Sequence, residues 1–435
     1  MIRRLWSIVW TIILGLTSIG DANPLIIFGD KQIVLFRVTE NHFLRKPIYL
    51  RCETNAGDTY KGKPIEFFWT KDGEALEWKS NPFIIKSKQG SIIIRNPKDD
   101  DEGAYRCFAK SNAGTASSQI TQVKKTYLNY TKSSVVKHRP VEGMPYSLNC
   151  NISSSYPKPL IVWKLQNILD DRPTTYITDP RMCESDDGTL WFSNVTREDV
   201  SRTYKYVCEA LSPAVDDTVA IAEHYIEDLQ INNKSEYYGK MIPQFLSTNV
   251  TVKTRETTML YCVYGGTPLP TIRWFKDGEL IDKAESRIGS TDRSAIGRRL
   301  FILNTTLGDE GTYICEANNG IEDSRNHSVY LKVTSIPLFN RKPPQELITV
   351  TGKNVTLSCI MTGMPLPKIT WSFDAGFLTE SDKFIIDTYN SSLHLISEAN
   401  LTIINVQIND TGFYGCTGNN DLGTNYAETM LQVID

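Results

Sequence analysis

Asp309-Glu310-Gly311-Thr312-Tyr313-Ile314-Cys315 sets a tyrosine two residues before a cysteine, at the end of an acidic and glycine-bearing turn. The same order returns in Asp101-Glu102-Gly103-Ala104-Tyr105-Arg106-Cys107 and in Asp410-Thr411-Gly412-Phe413-Tyr414-Gly415-Cys416. A stretched version occurs between Asp199 and Cys208, where Tyr206 again precedes the cysteine by two. Upstream of each lies a tryptophan and, before it, another cysteine. The full sets are Cys52–Trp69–Tyr105–Cys107, Cys150–Trp163–Tyr206–Cys208, Cys262–Trp274–Tyr313–Cys315 and Cys359–Trp371–Tyr414–Cys416. Cysteine separations of 55, 58, 53 and 57 residues suit two facing strands joined across the core of a β-sandwich. The tryptophan packs on that bridge and the tyrosine closes the corner.

Four such sets predict an all-β chain of four tandem immunoglobulin-like β-sandwich domains, I-set-like, each carrying one disulfide. Strand signals recur in one order within each repeat. Leu357-Ser358-Cys359-Ile360 alternates core and surface positions, and a proline-bearing turn leads into the tryptophan strand at Pro365 to Trp371 and at Pro268 to Trp274. Lys71-Asp72-Gly73 and Lys276-Asp277-Gly278 follow their tryptophans as hairpin turns. The second repeat lacks the glycine that the others place after the last cysteine at Gly114, Gly320 and Gly423, so its corner and last hairpin are expected to differ locally.

At the amino terminus, Arg3 and Arg4 precede an apolar run from Leu5 to Leu16 and small residues at Ser18, Gly20 and Ala22. This pattern is a secretory signal peptide over residues 1–22, because twelve apolar residues are too few to span a bilayer. Dividing the remainder by four gives about 103 residues per repeat, the size of one such domain. The expected domains are 23–125, 126–228, 241–334 and 335–435, with a linker at 229–240. No later run is long enough for a membrane span, and the chain reads as secreted and extracellular. Four disulfides need an oxidising compartment, and Cys183 remains unpaired, either as a thiol protected by the fold or as the link in a dimer. Eleven glycosylation sequons agree with secretion: Asn129, Asn151, Asn194, Asn233, Asn249, Asn304, Asn326, Asn354, Asn390, Asn400 and Asn409. None lies in the first repeat, which offers the least shielded surface.

The joints are unequal. Leu331-Lys332-Val333 runs through Thr334-Ser335-Ile336-Pro337 almost directly into the fourth repeat, whereas Asp228 to Lys240 is polar and poor in strand formers. Thirteen residues reach at most about 43 Å, enough either to turn the second pair of domains back on the first or to act as a flexible spacer.

Catalysis has little support. The five histidines are scattered, with no zinc-binding or nucleophile motif, and Glu223-His224 reads as a surface pair; neither cofactor nor metal is expected. Asp99-Asp100-Asp101-Glu102 reads as a corner motif rather than a calcium site. A formal charge of −3 gives no reason to expect nucleic acid as a partner. Two basic segments could meet anions: Arg287, Arg293, Arg298 and Arg299 in the third repeat, and Lys124, Lys125, Lys132, Lys137, His138 and Arg139 at the first joint. Guanidinium groups suit phosphate through bidentate, charge-assisted bonds, so Arg293, Arg298 and Arg299 are the candidate ligand contacts. The alternative for both is an ordinary solvated face.

Five further stretches carry a resemblance: Thr258-Met259-Leu260-Tyr261-Cys262, Gly297-Arg298-Arg299-Leu300-Phe301, Glu316-Ala317-Asn318-Asn319-Gly320 and Tyr426-Ala427-Glu428-Thr429-Met430-Leu431-Gln432-Val433, with Tyr204-Lys205-Tyr206-Val207-Cys208 in the second repeat. In these the chain resembles the hemolins, secreted four-domain immunoglobulin proteins of insect immunity. Leu190-Trp191-Phe192-Ser193-Asn194-Val195-Thr196 is equally similar to neuroglian and its adhesion relatives. The resemblance implies a horseshoe, with the first domain against the fourth and the second against the third. It also implies binding to bacterial lipopolysaccharide or lipoteichoic acid and to the haemocyte surface in hemolymph. The adhesion relatives imply instead a secreted module with homophilic or heterophilic contacts. The chain departs from the hemolins in its number of sequons and in Cys183.

Overall fold

The computed structural model describes residues 27–29, 33–39, 45–131, 135–168, 175–231, 237–281, 287–289 and 297–435. The expected signal peptide at 1–22, Arg293, Lys132 and the sequon at Asn233 lie outside these residues. Among the described residues every regular element is a β-strand or a short 3-10 turn. No helix there is long and apolar enough to cross a membrane.

Each repeat forms two facing sheets. In the fourth, strands Glu346–Val350, Gly423–Ile434, Gly412–Asn420, Lys368–Phe373 and Gly376–Phe377 make one sheet in that order. Strands Val355–Met364, Ile396–Ile403 and Phe384–Ser391 make the other face. Period-two alternation buries Val355, Leu357, Cys359 and Met361 while their neighbours point outward. An early strand pairs parallel with the last strand of each sandwich, as Ile33 with Gln122, Val136 with His224, Val250 with Leu331 and Glu346 with Met430.

The four cysteine pairs form the bridges Cys52–Cys107, Cys150–Cys208, Cys262–Cys315 and Cys359–Cys416, beside buried Trp69, Trp163, Trp274 and Trp371. Trp69, Trp163 and Trp274 donate their indole N–H to the carbonyls of Gly90, Gly188 and Gly297. The fourth repeat has no glycine at that turn, and the indole nitrogen of Trp371 is buried without a partner. Each tyrosine hydroxyl closes its corner onto an aspartate carbonyl: Tyr105 to Asp101, Tyr206 to Asp199, Tyr313 to Asp309 and Tyr414 to Asp410, at 2.9–3.1 Å. The second repeat therefore keeps the corner bond despite its longer spacing, with the extra residues absorbed in a turn closed by Arg202 N–H on the Val200 carbonyl.

Two joints differ as their sequences suggest. Strand Arg325–Arg341 runs without interruption through the boundary expected at 334/335, pairing with Gly311–Asn318 in the third domain and Val355–Met364 in the fourth. It makes one continuous sheet of both. At the other joint, Gln230 is still docked on the second domain through Pro140 and Glu142, and Gly239 N–H is already bonded to Thr267 in the third. The first domain lies against the fourth and the second against the third.

Candidate functional site

Among the described residues, both interdomain faces carry buried polar contacts, and part of the basic cluster of the third repeat lies in one of them. On the face between the first and fourth domains, strand Gly114–Ser117 lies against the sheet that carries Gly412–Asn420 and Gly423–Ile434. The Asp374 carboxylate accepts Thr115 N–H across the boundary at 3.1 Å and Phe413 N–H within its own domain at 2.9 Å. Ser117 N–H reaches both oxygens of Glu428 at 3.1 and 3.3 Å, and Tyr426 O–H donates to the same carboxylate at 2.6 Å. The Arg106 guanidinium lies 4.3 Å from the centre of the Tyr426 ring. Gln119 donates to Asn425.

Phe413 and Met430 leave their own sandwich and pack with the core of the first domain. Close approach of the backbones requires Gly114: its φ is +125°, and a Cβ there would sit 2.3 Å from Asp374 Oδ1. Burial pushes the Glu428 carboxyl up to about 7, against the opposing pull of Tyr426, Ser117 and Arg106. Asp374 is raised in the same direction by burial.

The face between the second and third domains is built around Arg298. This residue is only 1 % exposed and donates to Ser193 Oγ at 2.9 Å, the Pro180 carbonyl at 2.8 Å and the Pro270 carbonyl at 3.4 Å. It does not face solvent as a phosphate contact would: two of these bonds cross to the second domain and the third stays within its own. Arg299 is partly buried and acts electrostatically on Glu184 and Cys183 of the second domain. Arg287 is bidentate to Asp309 at 2.6 and 2.7 Å, closing the corner of its own domain. Among the described residues, Arg287 and Arg298 serve the fold and its joint, and no open guanidinium cluster assembles.

Cys183 is free and 2 % exposed, packed with Tyr261 and Val263 of the third domain and with Trp191 and Phe245. Burial pushes its thiol up to about 11. The protected-thiol reading is the one this geometry supports. Gln244 donates to the Tyr146 and Phe192 carbonyls, and Asn194 to the Gly266 carbonyl and Thr267 Oγ1. Gly265 sits where a Cβ would come within 2.5 Å of the Ser193 carbonyl.

The basic joint also resolves into pairs. Lys124 meets Glu102, Lys125 meets Asp99, and Lys137 and Arg139 both meet Glu227. His138 and His224 are joined to each other at 2.8 Å. His224 is 4 % exposed beside Trp163, so the surface pair expected at Glu223-His224 is corrected: only Glu223 faces outward, bonded to Lys205. Of the sequons, Asn129, Asn151, Asn249, Asn304, Asn326, Asn354, Asn390 and Asn409 are exposed, while Asn194 and Asn400 are partly buried.

The immunoglobulin I-set domain model matches residues 50–122 and 337–433, and a second immunoglobulin domain model matches 243–319. Hemolin of Manduca sexta is 37 % identical over 386 residues, covering 88 % of this chain and 89 % of that protein. Hemolin of Hyalophora cecropia is 36 % identical over 95 % of this chain and 96 % of its own. The chain belongs to the hemolin family. A crystal structure of hemolin, described as an insect immune protein, superposes with a TM-score of 0.83 at 34 % identity, over 95 % of this chain and all of that one. Neuroglian of Drosophila melanogaster is 33 % identical over 92 % of this chain but only 30 % of its own length. The family is thus one of immunoglobulin-domain immune and adhesion-type proteins, and its horseshoe is the arrangement seen here.

Reading by sequence missed the face formed by Asp374, Tyr426, Glu428 and Arg106. A signal was present. Leu431 and Val433 fill the fourth core, so alternation puts Tyr426 and Met430 on the opposite face, which a lone sandwich would leave to water. Phe413 stands in the same relation to Tyr414 and Cys416.

Proposed function

We propose that this chain is a secreted recognition protein of innate immunity. It binds bacterial surface glycolipid, lipopolysaccharide or lipoteichoic acid, and the haemocyte surface, and so modulates cell adhesion and aggregation in hemolymph. The observation that carries this reading is hemolin-family likeness along nearly the whole chain, joined to the same folded-back arrangement. Four intradomain disulfides support an oxidising, extracellular setting.

The ligand surface must lie outside the Arg298 joint. Arg293 and Arg299 remain its basic candidates in the third domain, and the first domain offers a surface without sequons. The test is equilibrium binding to lipopolysaccharide with its phosphates intact and removed. Dephosphorylation is expected to weaken binding and flatten its salt dependence, since exposed charge contacts are screened over about 8 Å at physiological salt. Replacing Arg293 and Arg299 with alanine, with Arg298 left in place, is expected to cost on the order of tenfold in affinity. Equal binding of both lipid forms removes phosphate from the reading.

The second reading is a secreted adhesion protein, homophilic or heterophilic. It is favoured by the neuroglian likeness and by the homophilic adhesion named for the hemolin crystal structure. Adhesion to cells or to itself, without any binding of bacterial lipid, selects it.

A further inference from the structure

Asn194-Val195-Thr196 is a sequon on the face that the second domain turns toward the third. The nitrogen that would carry a glycan is already engaged across the boundary, 3.3 Å from the Gly266 carbonyl and 3.4 Å from Thr267 Oγ1. The amide oxygen is buried with no partner. Flanking bonds seal the same seam: Gly266 N–H donates to the Ser193 carbonyl at 2.8 Å, and Arg298 donates to Ser193 Oγ. The Thr196 hydroxyl, which a sequon needs free, is held near Arg181 and Asp199. Other described sequon asparagines that use their side-chain nitrogen do so within one domain, as Asn129 with Ser154 and Asn400 with Glu398. Asn194 alone among them donates to another domain.

We infer that Asn194 is a glycan acceptor whose occupancy and the closed horseshoe exclude each other, so that glycosylation at this residue sets the fraction of open molecules. The donor is an oligosaccharide on a lipid pyrophosphate. Transfer forms a bond from Asn194 Nδ2 to the anomeric carbon and breaks that carbon's bond to the phosphate oxygen, which leaves with the electron pair. One amide proton is released. The product has a sugar ring where Gly266 and Thr267 now stand in hydrogen-bond contact, so the seam bonds of the Asn194 side-chain nitrogen and the present packing of the two domains cannot both persist. The order of synthesis permits the reaction, because the second domain emerges before the third exists to cover it. Folding of the second domain withdraws Thr196, and closure then withdraws Asn194 itself. A chain that escapes transfer closes; a chain that receives the glycan cannot.

Cys183, buried on the same face, reports the outcome without a label. Its thiol is held up to about 11 when covered, so alkylation near pH 8 is slowed on the order of a hundredfold relative to an exposed thiol. The full chain, secreted from insect cells, is separated into compact and extended fractions by size-exclusion chromatography with small-angle scattering. Each fraction is then alkylated natively and mapped by peptide mass spectrometry. Unmodified Asn194 with protected Cys183 is expected in the compact fraction, and glycosylated Asn194 with alkylated Cys183 in the extended one. Asn194→Gln, which removes the acceptor but keeps an amide, is expected to move the whole population to the compact fraction. Glycosylated Asn194 in compact molecules with protected Cys183 overturns the inference, and so does absence of the glycan from every fraction.

Discussion

The tautomers of His138 and His224 are fixed by their partners. The Asn149 carbonyl can only accept, so His224 Nε2 carries a proton toward it at 3.0 Å and His224 Nδ1 is left as an acceptor. His138 Nε2–H then donates to His224 Nδ1, and Tyr146 O–H donates to His138 Nδ1, each at 2.8 Å. Both rings are neutral in this chain of bonds, and protonating His224 breaks the link between them. Burial, reinforced by the neighbouring ring of His138, pushes His224 down to about 4; burial also lowers His138. The unfolded imidazole titrates near 6.5, so between that value and about 4 the unfolded domain binds the proton better. Stability is therefore complete above about pH 6.5 and falls as pH drops through that window. At pH 5 the loss from His224 is about 2 kcal/mol. Thermal unfolding at pH 5 and 7.5 checks this: His224→Asn is expected to shrink the difference between the two pH values, even if it lowers stability at both.

At the scale of elements, strand Arg325–Arg341 makes the third and fourth domains behave as one body. Its alternation is unbroken across the boundary, with Val329, Leu331 and Val333 in the third core and Ser335 and Pro337 buried beyond it. A strand that is paired on both sides of a joint restrains the φ and ψ angles a hinge would use. Inserting Gly-Ser between Thr334 and Ser335 preserves which face each side chain takes, because two residues restore the period. It is nonetheless expected to uncouple the domains and enlarge the maximum dimension seen by small-angle scattering, since the fourth domain no longer meets the first in register. The same insertion in the 229–240 linker is expected to leave the compact shape intact. The corners, bridges and this joint were legible in sequence because each depends on residues close in the chain or on a strict period. Arg298 and His224 were not. Both are polar residues whose burial is decided by partners remote in sequence: the Pro180 carbonyl and Ser193 for the arginine, His138 for the imidazole.

Closure of the whole molecule rests on two faces with different chemistry. The face between the second and third domains is tied by Arg298, Gln244 and Asn194, none of which titrates near neutrality. The face between the first and fourth contains Glu428, enclosed by Ser117, Tyr426 and Arg106, with Asp374 near by and Lys342 lining the same cavity. A carboxyl raised to about 7 in the closed form, against an ordinary value of 4.5, binds its proton more tightly when closed than when open. Its contribution to closure is therefore fully present below about pH 4.5 and is lost as pH rises through about 7. Asp374 adds in the same direction. The histidine pair acts oppositely, weakening the second domain in acid, so the closed form is expected to dominate at mildly acidic pH and to open in base. Small-angle scattering from pH 5.5 to 9 follows this directly. Glu428→Gln keeps the shape and an acceptor for Ser117 N–H while removing the charge, and is expected to stay compact at pH 9, where the native chain extends. If the native chain and Glu428→Gln open together as pH rises, Glu428 does not govern the latch and the alkaline opening belongs to other groups.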